Sequence, residues 1–359
     1  MNNRVEELLH GYAIVHATLE NKDRVAFILK EEVTQDTAEE LDYIPGDDEL
    51  ATMAVLYEPS VWHSRDNFAA YRWREGVRNA FAVIEGRQRT GSIVICGISG
   101  GGQAGEFNVI TDSEWYSKED TWVELPFEHK AMLCATNIDS EVYFGGNLRK
   151  LFKRTGKNEW IDLTDEEQHP NLHEDIRHAL ESGHSISSVP VGFDGIDGFS
   201  RNDLYACGEQ GELWHYNGER WRRLAPPVNF DMQAIVCAGD DNVYAGGAMG
   251  GLIRGRFDPQ SGHEQWQIIK NPLNNTEQCF NSLAWFQDRL YLGNDWALYR
   301  LTKEDRIEKV VFPDNGFHQY SFQNVNACDT ALLSYGPHQA LTFDGERWEQ
   351  VVGLIEIPL

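Results

Sequence analysis

Residues 203–224, Asp-Leu-Tyr-Ala-Cys-Gly-Glu-Gln-Gly-Glu-Leu-Trp-His-Tyr-Asn-Gly-Glu-Arg-Trp-Arg-Arg-Leu, carry a skeleton that four other segments repeat. It is a Tyr or Leu, a Gly three residues on, and a Leu five beyond that. The copies are Tyr143/Gly146/Leu151, Tyr205/Gly208/Leu213, Tyr244/Gly247/Leu252, Leu290/Gly293/Leu298 and Leu333/Gly336/Leu341. A Trp follows in Trp160, Trp221, Trp266 and Trp348, and Ile307 stands where the remaining one would fall. Two copies share Asn217-Gly218-Glu219-Arg220-Trp221 and Asp344-Gly345-Glu346-Arg347-Trp348. Asn-Gly or Asp-Gly between alternating strands predicts a two-residue hairpin, so each repeat reads as a small antiparallel sheet.

Strands recurring about every 39–49 residues, with no helical crossover between them, predict the blades of a β-propeller. An earlier unit fits through Val94, Gly97, Phe107 and Trp122. The expectation is an all-β chain forming a single propeller over residues 1–359 with about seven four-stranded blades: an irregular first blade within 1–76, and six repeats over 77–355. Six blades result if 12–57 only decorates the ring. Residues 351–357 are expected to supply a strand that closes the ring with the N-terminal segment.

The glycine pairs Gly145-Gly146 and Gly246-Gly247, the Phe257-Asp258-Pro259 run and the later Trp266 resemble the short-blade propellers of the kelch and YCF48-like kind. The resemblance covers roughly residues 77–355 and implies architecture alone, because propellers host many functions. The Gly-His and Trp-Asp signatures of WD40 blades are absent from the sequence.

With 31 basic and 57 acidic residues the net charge is −26, which argues against binding nucleic acid or an anionic membrane and points to a basic partner or simple solubility. The charge is uneven. Residues 31–49 contain Glu31, Glu32, Asp36, Glu39, Glu40, Asp42, Asp47, Asp48 and Glu49 without a Lys or Arg, and Pro45-Gly46 marks the stretch as loop. These nine carboxylates are the candidate partner-binding residues; the competing reading is a solvated loop. Residues 65–89 invert the pattern with Arg65, Arg72, Arg74, Arg78, Arg87 and Arg89 among Trp62, Tyr71 and Trp73. Such a mixture can bind an anion, but in so acidic a chain pairing with the protein's own carboxylates is favoured.

Of the six cysteines, Cys134, Cys237 and Cys328 share one blade position and Cys96 and Cys207 another, which suits small buried core residues and free thiols. No signal peptide is evident in residues 1–20, so the cytoplasm is expected, with the protein a monomer.

Other motifs carry less. Residues 97–101 fit G-x-S-x-G and 100–105 fit G-x-G-x-x-G, but both need a helix next, and Glu106-Phe107-Asn108-Val109-Ile110 reads as strand. Residues 165–184 form a helical insertion, with Leu172, Ile176, Ala179 and Leu180 on one face. Its His169, His173 and His178 are poorly spaced for zinc, and Asp194, Asp197 and Asp203 lack the spacing of a calcium loop. No catalytic residue, metal or cofactor is assigned. The reading is a non-catalytic protein-binding propeller, best taken as an acidic immunity or inhibitor protein that neutralises a basic toxin such as a nuclease. The alternatives are an assembly scaffold, or an enzyme whose site lies at the channel mouth.

Overall fold

The structure is a computed structural model that describes residues 10–33, 49–59, 68–73, 77–84, 93–99, 103–109, 122–124, 132–156, 159–164, 177, 181, 192–271, 278–312 and 324–353, with backbone alone between 68 and 124. Its strands form seven four-stranded antiparallel sheets, each in simple up-and-down order. The first holds β1 (Tyr12–Asn21), β2 (Arg24–Glu31), β3 (Thr52–Tyr57) and β4 (Phe68–Trp73); the second β5 (Val77–Ile84), β6 (Ile93–Ser99), β7 (Gln103–Val109) and β8 (Trp122–Glu124). The third holds β9 (Met132–Ile138), β10 (Glu141–Gly146), β11 (Lys150–Gly156) and β12 (Glu159–Asp162); the fourth β13 (Gly195–Ser200), β14 (Asp203–Cys207), β15 (Leu213–Tyr216) and β16 (Trp221–Arg223). The fifth holds β17 (Met232–Cys237), β18 (Val243–Gly247), β19 (Leu252–Asp258) and β20 (His263–Ile268); the sixth β21 (Ser282–Phe286), β22 (Arg289–Asn294), β23 (Ala297–Leu301) and β24 (Ile307–Lys309). The seventh holds β25 (Asn324–Ala327), β26 (Leu332–Gly336), β27 (Gln339–Phe343) and β28 (Trp348–Val352). The first strands touch in a closed cycle, β1 to β5, β9, β13, β17, β21, β25 and back to β1, so the fold is a single β-propeller with these strands around its axis.

The repeat skeleton has a physical cause at each position. Its Tyr or Leu lies in the second strand and its Leu in the third, and all ten side chains are buried in the seams between sheets. The Gly lies at the end of the second strand or one residue to either side of it, where backbone approaches backbone. A Cβ on Gly208 would collide with the carbonyl oxygen of Gly192, and one on Gly247 with that of Asp231. The carbonyls of Gly146, Gly208 and Gly247 also accept N–H bonds from Phe193, Met232 and Phe280, which lead into the next sheet, at 3.0, 3.1 and 3.0 Å. Glycine is thus required by contact rather than by φ. Gly247→Ala should lower stability by about 3 kcal/mol, read as a shift in the denaturant midpoint at constant m-value.

The Trp of the skeleton belongs to the fourth strand in β12, β16, β20 and β28, with Ile307 in β24. Trp221 shows its use: its Nε1 donates to the Leu163 carbonyl at 3.2 Å, joining the fourth sheet to the third, while its ring lies 5.3 Å from Phe193. Cysteines fill space left by glycine. A Cβ on Gly145 would sit 2.9 Å from Cys134 Sγ, and one on Gly195 3.0 Å from Cys207 Sγ. Cys134, Cys207, Cys237, Cys279 and Cys328 are free thiols.

Three expectations need correction or limits. The shared Asn-Gly and Asp-Gly turns are displaced by one residue. Asn217 N–H bonds to the Arg220 carbonyl, leaving Gly218 (φ +94°) and Glu219 at the tip, and Asn217 Oδ1 accepts the N–H groups of Glu219 and Arg220. Asp344, with Gly345 at φ +103°, does the same toward Glu346 and Arg347. The Asx oxygen replaces a main-chain acceptor and moves the turn.

Ring closure also differs from the expected shared strand. Val351 and Val352 belong to β28, at the edge of the seventh sheet, and 354–359 lie outside the described residues. Closure is made by packing. Ile14, Phe27, Leu29 and Val55 of the first sheet share a core with Leu333, Tyr335, Ala340 and Val352 of the seventh, and Ile14 N–H donates to the Pro337 carbonyl at 2.7 Å. His338 Nε2 adds a contact to Glu32 Oε1 at 2.9 Å across the same seam. Of the helical insertion at 165–184, only Arg177 and Glu181 are described, both helical; His169, His173 and His178 lie outside the described residues.

Candidate partner-binding face

Antiparallel order places the turns between second and third strands on the same face as the connections into each first strand. That face is stitched together by the glycine carbonyl bonds described above and by Ala248 N–H to Asp231 O at 2.9 Å. Arg149 and Glu212, from the turns of the third and fourth sheets, form a bidentate ion pair with Nε to Oε2 at 2.8 Å and both side chains under 10% exposed. The Arg149 guanidinium also lies 5.2 Å over the Trp214 ring.

Carboxylates gather beside this pair. Burial, then the charges of Glu209 and Asp231, push the Asp194 carboxyl up to about 6, and burial followed by Asp231 raises Glu209. Asp231 is exposed and accepts the Gln210 N–H at 2.8 Å. A carboxyl that holds its proton more tightly when folded lowers stability as pH rises from about 4 to 6. Asp194→Asn should therefore raise the melting temperature at pH 7.5 by about 2 °C, a gain that shrinks below pH 6. A scan at both pH values checks this.

Large apolar side chains stand exposed on the same face. Met249 lies in the turn between β18 and β19, Trp296 in that between β22 and β23, and Val311 just beyond β24, at 53%, 73% and 88% exposure. The composition of the sequence did not bring these out. A usable signal existed, since residues between the skeleton Gly and Leu form the turn, where Met and Trp are out of character.

The segment 32–51 connects β2 to β3, so the described ends of the acidic stretch, Glu32 and Glu49, lie on this face as well. Glu31 Oε2 accepts the Ala51 N–H at 3.1 Å and Glu32 meets His338, so these two brace the fold; Glu49 is described, and Asp36, Glu39, Glu40, Asp42, Asp47 and Asp48 lie outside the described residues. The side chains of Arg65, Arg72, Arg74, Arg78, Arg87 and Arg89 also lie outside them.

The motifs set aside in sequence have structural uses. β6 and β7 pair antiparallel, Ile98 opposite Ala104, so the glycine-rich motifs join strand to strand and not strand to helix. Asp197 accepts N–H bonds from Gly198 and Cys237, both at 2.8 Å, tying the fourth sheet to the fifth. Asp203 holds His215 Nε2 at 2.8 Å and Arg256 Nη2 at 3.1 Å. Asp194, Asp197 and Asp203 thus serve different contacts, and among the described residues no group of three or more His, Cys, Asp or Glu is arranged to hold a metal. The opposite face has a cleft of about 530 Å³ between the fifth and sixth sheets, where Arg254 pairs with Asp305 at 2.7 Å and Arg289, Arg300 and Lys303 mix with Asp240, Asp288 and Glu304.

Comparison with known proteins adds one curated relative. The chain is 32% identical over 218 residues to the immune protein Tsi7 of Pseudomonas aeruginosa, covering 60% of this chain and 62% of that protein. This chain is similar to an immune protein. No family model matches it. Among solved structures it superposes on the WD40 β-propeller domain of Doa1 with a TM-score of 0.57 at 10% identity, over 91% of this chain and 90% of that one. YCF48 from Cyanidioschyzon merolae gives 0.56 at 11% identity over 93% and 95%. At such identities the likeness is one of fold, and it agrees with the propeller architecture expected from the repeat.

Proposed function

We propose that the chain is a non-catalytic immunity protein that captures a basic toxin, such as a nuclease, and blocks it by forming a stable complex. The observation that carries this reading is the 32% identity over 218 residues to the immune protein Tsi7. A propeller suits the task, since it presents many turns on one rigid face and needs no chemistry of its own. The net charge of −26 supports a basic partner, because opposed charge accelerates encounter. The carboxylates of 31–49 add to this attraction, and the free thiols fit a reducing cytoplasm.

The test begins with tagged chain expressed in its source cells, from which bound protein is recovered and identified. That protein is then expressed in a bacterial host with and without the chain. The reading expects a basic protein that stops growth alone and is tolerated when the chain is present. A bound protein that is acidic, or whose toxicity the chain leaves unchanged, counts against it.

A further inference from the structure

Among the described residues, five of the seven exposed large hydrophobic side chains lie on the turn face or on the inner strands that run from it. Met249, Trp296 and Val311 are on the face, while Val15 in β1 and Leu133 in β9 are on inner strands; only Ile161 and Ile268 are on outer strands. Chance would scatter them, and singly scattered ones need no explanation. Met249 and Trp296 flank one short segment. Ala248 forms a bridge with Cys279, Gly250 N–H donates to the Gln278 carbonyl at 2.7 Å, and Asn281 Nδ2 donates to Asp295 Oδ1 at 2.7 Å. The two turns are therefore neighbours across residues 278–281. Asp231, whose carbonyl accepts the Ala248 N–H at 2.9 Å, and Asp295, whose carboxylate accepts from Asn281, bring an acidic residue to each of the two turns.

We propose that the turn face of the fifth and sixth sheets is the docking surface for a basic protein, with Trp296 and Met249 receiving an arginine or apolar side chain and Asp231 and Asp295 pairing with the surrounding cations. The proposal deepens the immunity reading and rests on it for the identity of the partner. The chemistry is selective for arginine. A planar guanidinium stacks on an exposed indole and simultaneously offers its N–H fork to an adjacent carboxylate, which a lysine ammonium does less well. Desolvation by the aromatic contact strengthens the ion pair beside it, so anchor and charges act together. The described ends of the acidic segment, Glu32 and Glu49, lie at a turn of the same face. Attraction and anchoring are thereby directed to one side of the ring.

The test uses a probe that does not depend on any toxin: a synthetic 12-residue peptide of alternating Arg and Leu, titrated calorimetrically against the full chain, with a Glu-for-Arg peptide as control. Carbodiimide labelling read by mass spectrometry reports which carboxylates the peptide covers. The expected result is protection of Asp231 and Asp295, with Trp296→Ala and Met249→Ala each weakening binding about tenfold. The pair Asp288→Asn with Glu304→Gln, on the opposite face, should leave binding unchanged. Thermal scans confirm that the exposed-site variants stay folded. Absence of binding, protection centred on Asp288 and Glu304, or indifference to Trp296→Ala would overturn the proposal. If peptide footprint and variants agree while no toxin is neutralised in cells, the surface stands and the immunity reading fails.

Discussion

Phe27→Ala should lower the unfolding free energy by about 3–5 kcal/mol, measured by denaturant titration with intrinsic fluorescence. Phe27 is 1% exposed in β2 and belongs to the core shared by the first and seventh sheets. No strand is exchanged at this seam: β1–β4 all come from the N-terminal side and β25–β28 from the C-terminal side. Closure therefore depends on apolar burial, with Ile14–Pro337 and His338–Glu32 as polar additions. Removing Phe27, the largest fully buried side chain among the described residues of the first sheet, leaves a cavity whose walls belong to opposite ends of the chain. A loss below 1 kcal/mol would show that the seam contributes little.

The second large effect concerns Arg149 and Glu212. Changing Glu212 to Gln removes the carboxylate that pairs bidentately with the buried Arg149 guanidinium, and breaking a buried ion pair from one side costs about 3–5 kcal/mol. Arg223 Nη2 approaches Glu212 Oε1 at 3.8 Å, but it is itself largely exposed and contributes little. Replacing both partners, Arg149→Met with Glu212→Leu, should restore most of the loss, because two apolar side chains avoid the desolvation cost of the pair. A double variant as unstable as Glu212→Gln alone would mean that packing against Trp214, and not charge pairing, dominates at this contact.

The legible part of the fold was the part fixed by repeated physical demands. Tyr205, Gly208 and Leu213 recur because each seam needs a large core residue, a close backbone approach and a second core residue at the same spacing. The Trp positions were equally readable, since fourth strands carry them in β12, β16, β20 and β28. The Asn217 and Asp344 turns show the limit: a side-chain oxygen substitutes for a carbonyl and shifts the tip by one residue, which propensity alone does not reveal. The seam shows another limit: Val351 and Val352 join the seventh sheet, because which sheet a terminal strand joins depends on contacts distant in sequence.

For the candidate site, charge was visible and geometry was not. The acids of 31–49 were conspicuous, yet Glu31 and Glu32 turn out to brace Ala51 and His338. Trp296 and Met249 were hidden because exposure belongs to the assembled turn face. The skeleton nonetheless marks those positions as turn, so an apolar residue there could have been flagged.

The proposed stoichiometric capture of a basic toxin is tested most directly by titrating the purified toxin's activity with the purified chain. The account predicts a linear fall to an end point of about one chain per toxin, with an onset that slows steeply between about 50 and 500 mM salt as charge steering is screened. Complete inactivation by a small fraction of an equivalent would indicate catalysis, and an onset indifferent to salt would remove the electrostatic basis of capture; either result would contradict the account.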